Sequence, residues 1–321
     1  MDAFLTISGG IAGIALLYYG AEFLIKGGVS IALKLKISAL VIGLTLVAFG
    51  TSFPELVVSI DASLKGSGDI SIGNVTGSNI CNIALILGLS ALIAPLPVHK
   101  QLLKLDVWLM LGSSILLAIF HYFTKGVNRW QGGIFFAGVM TYTLWSIYAG
   151  RKAEANKSDA EKAADNDAIG KIIPLYLSVI FVIGGLAALI CGAKCFVNAA
   201  VFIAKAAGIS EAVIGLTIVA VGTSLPELAT SVVAAIKGEQ DIAIGNVVGS
   251  NIFNVLCILG IAPLIAPIKS AGISMVDMFT MIAVSLALIP IMLTGMKISR
   301  KEGGFLLLVY IGYTLYLFCK Q

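Results

Sequence analysis

Apolar residues run along this chain in stretches of about 20, separated by short polar interruptions, a length that suits a helix crossing the roughly 30 Å of membrane hydrocarbon. The pattern predicts spans at Leu5–Ile25, with a continuation to Leu33, then Ala39–Leu64, Ile70–Leu92, Leu105–Phe123 and Trp130–Tyr148. Arg151 to Lys171, RKAEANKSDAEKAADNDAIGK, is the only long polar run and reads as a linker. Beyond it the pattern predicts Ile172–Ile203, Val213–Ile236, Ile242–Ile265, Met275–Leu293 and Gly304–Phe318. The expected fold class is therefore an all-α membrane protein of ten transmembrane helices. Residues 1–150 form one five-helix half, 151–171 the linker and 172–321 the other half. The first apolar stretch lacks a basic leader and a small-residue cleavage site, so it is expected to stay in place.

Composition sharpens the class. The chain is 59% hydrophobic and 12% charged, against roughly 25% charged in a soluble domain, which leaves almost nothing for a domain outside the membrane. The net charge of +4 is small, and its basic residues sit at span ends. Neither a nucleic-acid stripe nor a protein partner is implied. With the N-terminus outside, thirteen Lys and Arg fall on the linker's face, among them Lys34, Lys36, Lys100, Lys104, Lys237, Lys297, Arg300 and Lys301. Six fall on the other face: Lys65, Lys125, Arg129, Lys205, Lys269 and Lys320. The positive-inside bias thus predicts a cytoplasmic linker and both termini extracytoplasmic, in the plasma (inner) membrane. All five cysteines lie in apolar segments without a CxxC pair, as expected of buried free thiols. Cys191 and Cys195, one helical turn apart, leave a soft-metal pair as the other reading.

A repeat then reorganises the picture. GTSFPE at Gly50–Glu55 returns as GTSLPE at Gly222–Glu227, and IGNVTGSNICN from Ile72 returns as IGNVVGSNIFN from Ile244, all offset by 172 residues. Ile37–Gly88 and Ile209–Gly260 share 33 identities in 52 ungapped positions. Since each half has an odd number of spans, the copies are expected to enter the membrane in opposite senses. Such inverted repeats place a shared site near the midplane and suit a carrier better than a channel.

The repeated words carry oxygen chemistry. Pro54 and Pro226 break the helical hydrogen bonding inside a span, and freed backbone oxygen at that depth is tolerated where it lines a cavity. On a helix Thr51 and Glu55 share a face with Ser52 beside them, and Thr223, Ser224 and Glu227 repeat the set. Ser78 with Asn82, and Ser250 with Asn254, are i, i+4 pairs on the next span of each half. Two carboxylates among neutral oxygens suit Na⁺, Ca²⁺ or Mg²⁺ rather than zinc or copper; the set can supply the six to eight flexible ligands of Ca²⁺, and its two charges match one Ca²⁺ or two to three Na⁺. An acid at the centre of a span costs at least about 2.5 kcal/mol, so Glu55 and Glu227 are read as functional. The plainer reading holds elsewhere: Gly73, Gly77, Gly245 and Gly249 as close-packing positions, and Asn74, Asn79, Asn246 and Asn251 as interhelical hydrogen-bond donors. Asp61 reads as a solvated or locally paired acid, Asp69 and Asp241 as helix N-terminal charges, and His99 and His121 as surface residues.

At these words the sequence resembles the cation/calcium antiporter superfamily, specifically its compact prokaryotic sodium/calcium exchangers, whose two repeats carry GTSxPE and GNxxGSN. The resemblance spans both halves. It implies ion ligands at Thr51, Ser52, Glu55, Ser78, Asn82, Thr223, Ser224, Glu227, Ser250 and Asn254, with the backbone oxygens of Ala48 and Ala220, and a sliding first and sixth span. It also implies exchange of Na⁺ for Ca²⁺ by alternating access, with the ions as cargo and no cofactor. Asn254 stands where potassium-dependent relatives carry Asp, which argues against potassium dependence. Proton/calcium exchangers share the carboxylates, so H⁺ stays open as counter-ion, and a cation channel is the reading from another class. No Ser–His arrangement or HExxH occurs, so an enzyme is not expected.

Overall fold

The computed structural model describes residues 3–156, 173–208, 220–270 and 272–319. They form twelve helices: α1 (Ala3–Leu35), α2 (Ala39–Thr51), α3 (Phe53–Leu64), α4 (Gly68–Ile93), α5 (Leu102–Thr124), α6 (Arg129–Ala155), α7 (Leu175–Ala206), α8 (Ala220–Gly222), α9 (Leu225–Lys237), α10 (Gln240–Ile265), α11 (Met275–Leu293) and α12 (Arg300–Cys319). Among the described residues seven helices are long and apolar enough to cross a membrane, and α2 with α3 makes an eighth bent span. The expected span at Trp130–Tyr148 is helical throughout as part of α6, which is less apolar than those seven. Of the expected span Val213–Ile236, α8 and α9 represent the second part, and residues 213–219 lie outside the described residues. So does most of the linker, whose first residues, Arg151–Ala155, instead continue α6.

The proline words produce sharp breaks. Ser52 leaves helical geometry at φ −81°, ψ 5°, a sparsely populated backbone region common among site residues. Pro54 then occupies the opening of α3, where a missing N–H costs nothing, and the axis turns by 44°. Ser224 adopts φ −86°, ψ 7° ahead of Pro226 at the opening of α9. Thr51 and Glu55 are therefore not on one continuous helix, as the i, i+4 spacing had suggested. Thr51 ends α2, and Glu55 stands in the first turn of α3, where the helix dipole favours a carboxylate.

The helices carrying the asparagine words form the centre of the molecule. Some 72% of the span in α4 and 83% of that in α10 is buried, against 28% in α7 and 11% in α12. Their C-terminal halves widen into π turns at Cys81–Leu87 and Asn254–Ile258, a feature that re-aims side chains and often marks functional positions. Close packing at small residues brings α10 onto α2: a Cβ on Gly249 would meet the Leu44 carbonyl at 2.6 Å. A longer track of the same kind joins α1 to α7, with Gly13, Gly20 and Gly27 against Gly192, Gly185 and Ser178. The seven-residue spacing of both series keeps them on one face.

The halves are also tied at their connections. Leu96 and Pro97 pair antiparallel with Ile298 and Lys297, and Gly126 and Val127 with Lys269 and Ile268. Asp69 and Asp241 stand in the first turns of α4 and α10, as expected, and also reach across: Asp69 Oδ1 accepts from the Ser270 hydroxyl at 2.6 Å and Gly272 N–H at 2.9 Å, and Asp241 Oδ1 lies 2.8 Å from His99 Nε2. His121 is buried near the end of α5, not on the surface, because α11 and its approach cover it. Asp61 is exposed and paired with Lys65 at 2.6 Å. All five cysteines are free, but Cys191 and Cys319 face outward rather than into the core, since α7 and α12 are peripheral helices.

Candidate cation site

Two breaks and two π turns converge on one buried volume. Ser52 at the first break donates its hydroxyl to Glu227 Oε1 at 3.0 Å, and Ser224 at the second donates to Glu55 Oε1 at 3.4 Å. Each serine thus serves the carboxylate of the other half. Both glutamates are fully buried. Their backbones are held in matching ways, with Asn74 Nδ2 donating to the Glu55 carbonyl at 3.2 Å and Asn246 Nδ2 to the Glu227 carbonyl at 3.4 Å.

Hydroxyls complete the two flanks. Ser224 Oγ lies 3.3 Å from Ser78 Oγ. Thr51 Oγ1 lies 3.5 Å from Ser250 Oγ and donates to Asn246 Oδ1 at 3.1 Å, while the Ala48 carbonyl accepts from Thr51 at 3.3 Å and from Ser250 at 3.5 Å. Thr223 and Ser78 both line a cavity of about 510 Å³ that also touches Asn74, Asp277, Tyr310 and Tyr313. Ala220 opens α8, three residues before Thr223. Asn82 and Asn254 stand in the π turns, both fully buried.

The hydrogen-bond accounting is the telling feature. Among the described residues, Glu55 Oε2, Glu227 Oε2, Asn82 Oδ1 and Asn254 Oδ1 are buried oxygens that no donor meets. An orphaned buried acceptor forfeits about 1–3 kcal/mol, more when charged, and native structures keep few of them. Four at equivalent positions, two of them on carboxylates, form a donor set fit for a hard cation. No group of three or more His, Cys, Asp and Glu with metal-holding geometry occurs among the described residues, so a cation at this place would be met chiefly by neutral oxygen.

Several participants were not legible as such. Asp106 bonds to Tyr142 at 3.1 Å and Asp277 to Tyr313 at 3.0 Å, in matching positions of the two halves. Met110 and Met281 place their sulfur atoms 3.6 and 3.7 Å from Asn251 and Asn79. The run of shared residues between the halves ends at Gly88 and Gly260, short of all six of these residues, three in each copy.

Together these features define an all-helical, multi-pass membrane protein with a buried, oxygen-lined polar centre. The profile of the sodium/calcium exchanger protein family matches residues 5–148 and 177–319, and the chain belongs to that family. It is 38% identical to the putative antiporter CaxA of Alkalimonas amylolytica over 312 residues, covering 96% of this chain and 97% of that one. It is also 38% identical to the sodium/calcium exchanger MaX1 of Methanosarcina acetivorans, with 96% and 97% of the two chains covered. Among solved structures it is similar to the sodium-calcium exchanger NCX_Mj soaked with zero Na⁺ and Ca²⁺, at a TM-score of 0.83 and 35% identity, covering 98% of this chain and all of that one.

Proposed function

We propose that this protein is a secondary antiporter that exchanges Na⁺ for Ca²⁺ by alternating access, with cations held near the midplane between two five-helix repeats of opposite orientation. The reading rests on the four orphaned oxygens of Glu55, Glu227, Asn82 and Asn254. Thr51, Ser52, Ser78, Thr223, Ser224, Ser250 and the carbonyls of Ala48 and Ala220 are assigned the remaining coordination. Two carboxylates balance one Ca²⁺ or two to three Na⁺, and sharing them makes occupancy mutually exclusive. Na⁺ entering down its gradient would fill the cluster from one face, and its departure on the other leaves room for Ca²⁺. If three Na⁺ exchange for one Ca²⁺, one net charge crosses per cycle, worth about 2.3 kcal/mol per 100 mV.

The repeat arrangement is supported by contacts that recur at the 172-residue offset, such as Asn74 to Ser59 and Asn246 to Ser231. We place residues 1–150 and 172–321 as the repeats, residues 151–171 in the cytoplasm, and both termini outside the plasma membrane. Uptake of ⁴⁵Ca²⁺ into Na⁺-loaded proteoliposomes is the test. Uptake that follows the Na⁺ gradient supports the reading; uptake driven by a pH gradient with no Na⁺ present would assign H⁺ as counter-ion instead.

A further inference from the structure

Asn82 and Asn254 can meet a cation only with the oxygen end of the amide, because the NH₂ end is a pure donor. Nothing in an asparagine's shape favours one end over the other. The choice must be imposed from outside, and the structure contains the device that imposes it.

Asn79 and Asn251, both nearly fully buried, face each other across the two halves. Asn79 Nδ2 donates to the Asn251 carbonyl at 3.2 Å, and Asn251 Nδ2 returns the bond to the Asn79 carbonyl at 3.3 Å. Each amide nitrogen also lies on a methionine sulfur, Met281 for Asn79 and Met110 for Asn251. With both nitrogens committed, each Oδ1 is fixed as an acceptor. Asn254 Nδ2 donates to Asn79 Oδ1 at 3.0 Å, and Asn82 Nδ2 donates to Asn251 Oδ1 at 3.0 Å. A flip of Asn82 or Asn254 would set oxygen against oxygen in a buried place. The flip is thereby blocked, and the two oxygens left without a donor are Asn82 Oδ1 and Asn254 Oδ1.

We propose that Asn79 and Asn251 are positioning residues that hold Asn82 and Asn254 with oxygen, not nitrogen, toward the transported cation. This rests on the exchanger reading above. Each half's positioning residue serves the opposite half's ligand, so the orientation of the ligand amides depends on the two halves staying in register. The role is one of outer-sphere orientation, and loss of such a partner typically weakens metal binding about 10–100-fold.

The test is equilibrium binding of ⁴⁵Ca²⁺ to the purified full-length protein in detergent, with folding checked by thermal melting. Asn79→Leu keeps the side-chain volume and removes the acceptor, and affinity is expected to fall about 10–100-fold. Adding Asn254→Asp, whose two terminal atoms are both oxygen, removes the need for orientation and should restore most of the loss. Because the added carboxylate also strengthens cation binding by its charge, the gain is read against Asn254→Asp alone: orientation predicts a larger gain in the Asn79→Leu background, and a merely structural role predicts the same gain in both. Wild-type affinity in Asn79→Leu, or a folded Asn79→Leu/Asn254→Asp variant no better than the single one, would overturn the proposal. If the leucine variant does not fold, Asn79→Asp keeps an acceptor toward Asn254 and should lose less than about tenfold, and a larger loss refutes the assignment. Wild-type protein that binds no Ca²⁺ overturns the exchanger reading as well, whereas Ca²⁺ binding untouched by these variants overturns the positioning role alone.

Discussion

The Ser52 hydroxyl donates to Glu227 Oε1 over 3.0 Å, joining the two copies of one motif through residues 175 apart in sequence. The return bond from Ser224 to Glu55 is longer, at 3.4 Å. Hydrogen bonds to an ionised group are the stronger kind, and strength falls with distance. Ser52→Ala is therefore expected to weaken the apparent Ca²⁺ affinity by about tenfold, and Ser224→Ala by less. The concentration dependence of ⁴⁵Ca²⁺ uptake measures both, and a larger effect at Ser224 would contradict this ranking.

The glutamates should be indispensable for transport and not for folding. Each keeps one oxygen that no protein donor meets, so Glu55→Gln or Glu227→Gln removes charge without removing a hydrogen bond from that atom. Both variants should elute as folded protein in size-exclusion chromatography and show no Ca²⁺ uptake. Uptake near the wild-type rate in both would refute the site.

Adjacent glycines in α7 should differ sharply. A Cβ on Gly185 would meet the Gly20 carbonyl at 2.7 Å and Leu24 N at 2.7 Å, while one on Gly184 meets nothing within 4 Å. Overpacking of this kind costs about 1–3 kcal/mol, whereas alanine is the better helix former by up to about 1 kcal/mol where space allows. Thermal melting should place Gly185→Ala below wild type and Gly184→Ala at or above it. Because α1 and α7 pack along this track, Gly185→Ala should also slow exchange.

Glu239, between α9 and α10, carries a pH-dependent liability. Burial and, after it, the neighbouring Asp241 push its carboxyl above the usual carboxylate range. A folded-state pKa above the unfolded value means that the contribution to stability is complete below the unfolded value, near 4.3, and is lost as pH rises through the folded one. Glu239→Gln should therefore raise the melting temperature at neutral pH, with the advantage vanishing below about pH 4.3. An equal advantage at all pH values would rule out this cause.

Much of the chemistry was readable before the fold. Glu55 and Glu227 stood out because an ionised group inside an apolar run is costly, and Ser52 and Ser224 because they share those words. The helical breaks followed from Pro54 and Pro226. Other features were hidden for physical reasons. Helical spacing alone assumed an unbroken helix through Ser52, so it put Thr51 and Glu55 on one face. Asp69 and Asp241 were readable as helix N-terminal charges, but not their further partners, because Ser270, Gly272 and His99 lie in connections from the other half. His121 and Cys191 changed places between inside and outside because hydropathy cannot tell a helix face turned to the protein from one turned to lipid.

The sequence by itself determined that this is a membrane protein written as two related halves, and which oxygen-bearing residues recur in both. Those conclusions depend on composition, length and repetition, which are properties of the chain read in one dimension. The tertiary structure decided which oxygens are free. Whether Asn82 offers oxygen or nitrogen depends on Asn251, and whether Glu227 keeps a bare oxygen depends on Ser52, residues distant in sequence and adjacent only after the halves pack. Hydrogen bonding is short-ranged and directional, so the accounting that leaves these four site oxygens among the unmet ones exists only in the folded protein.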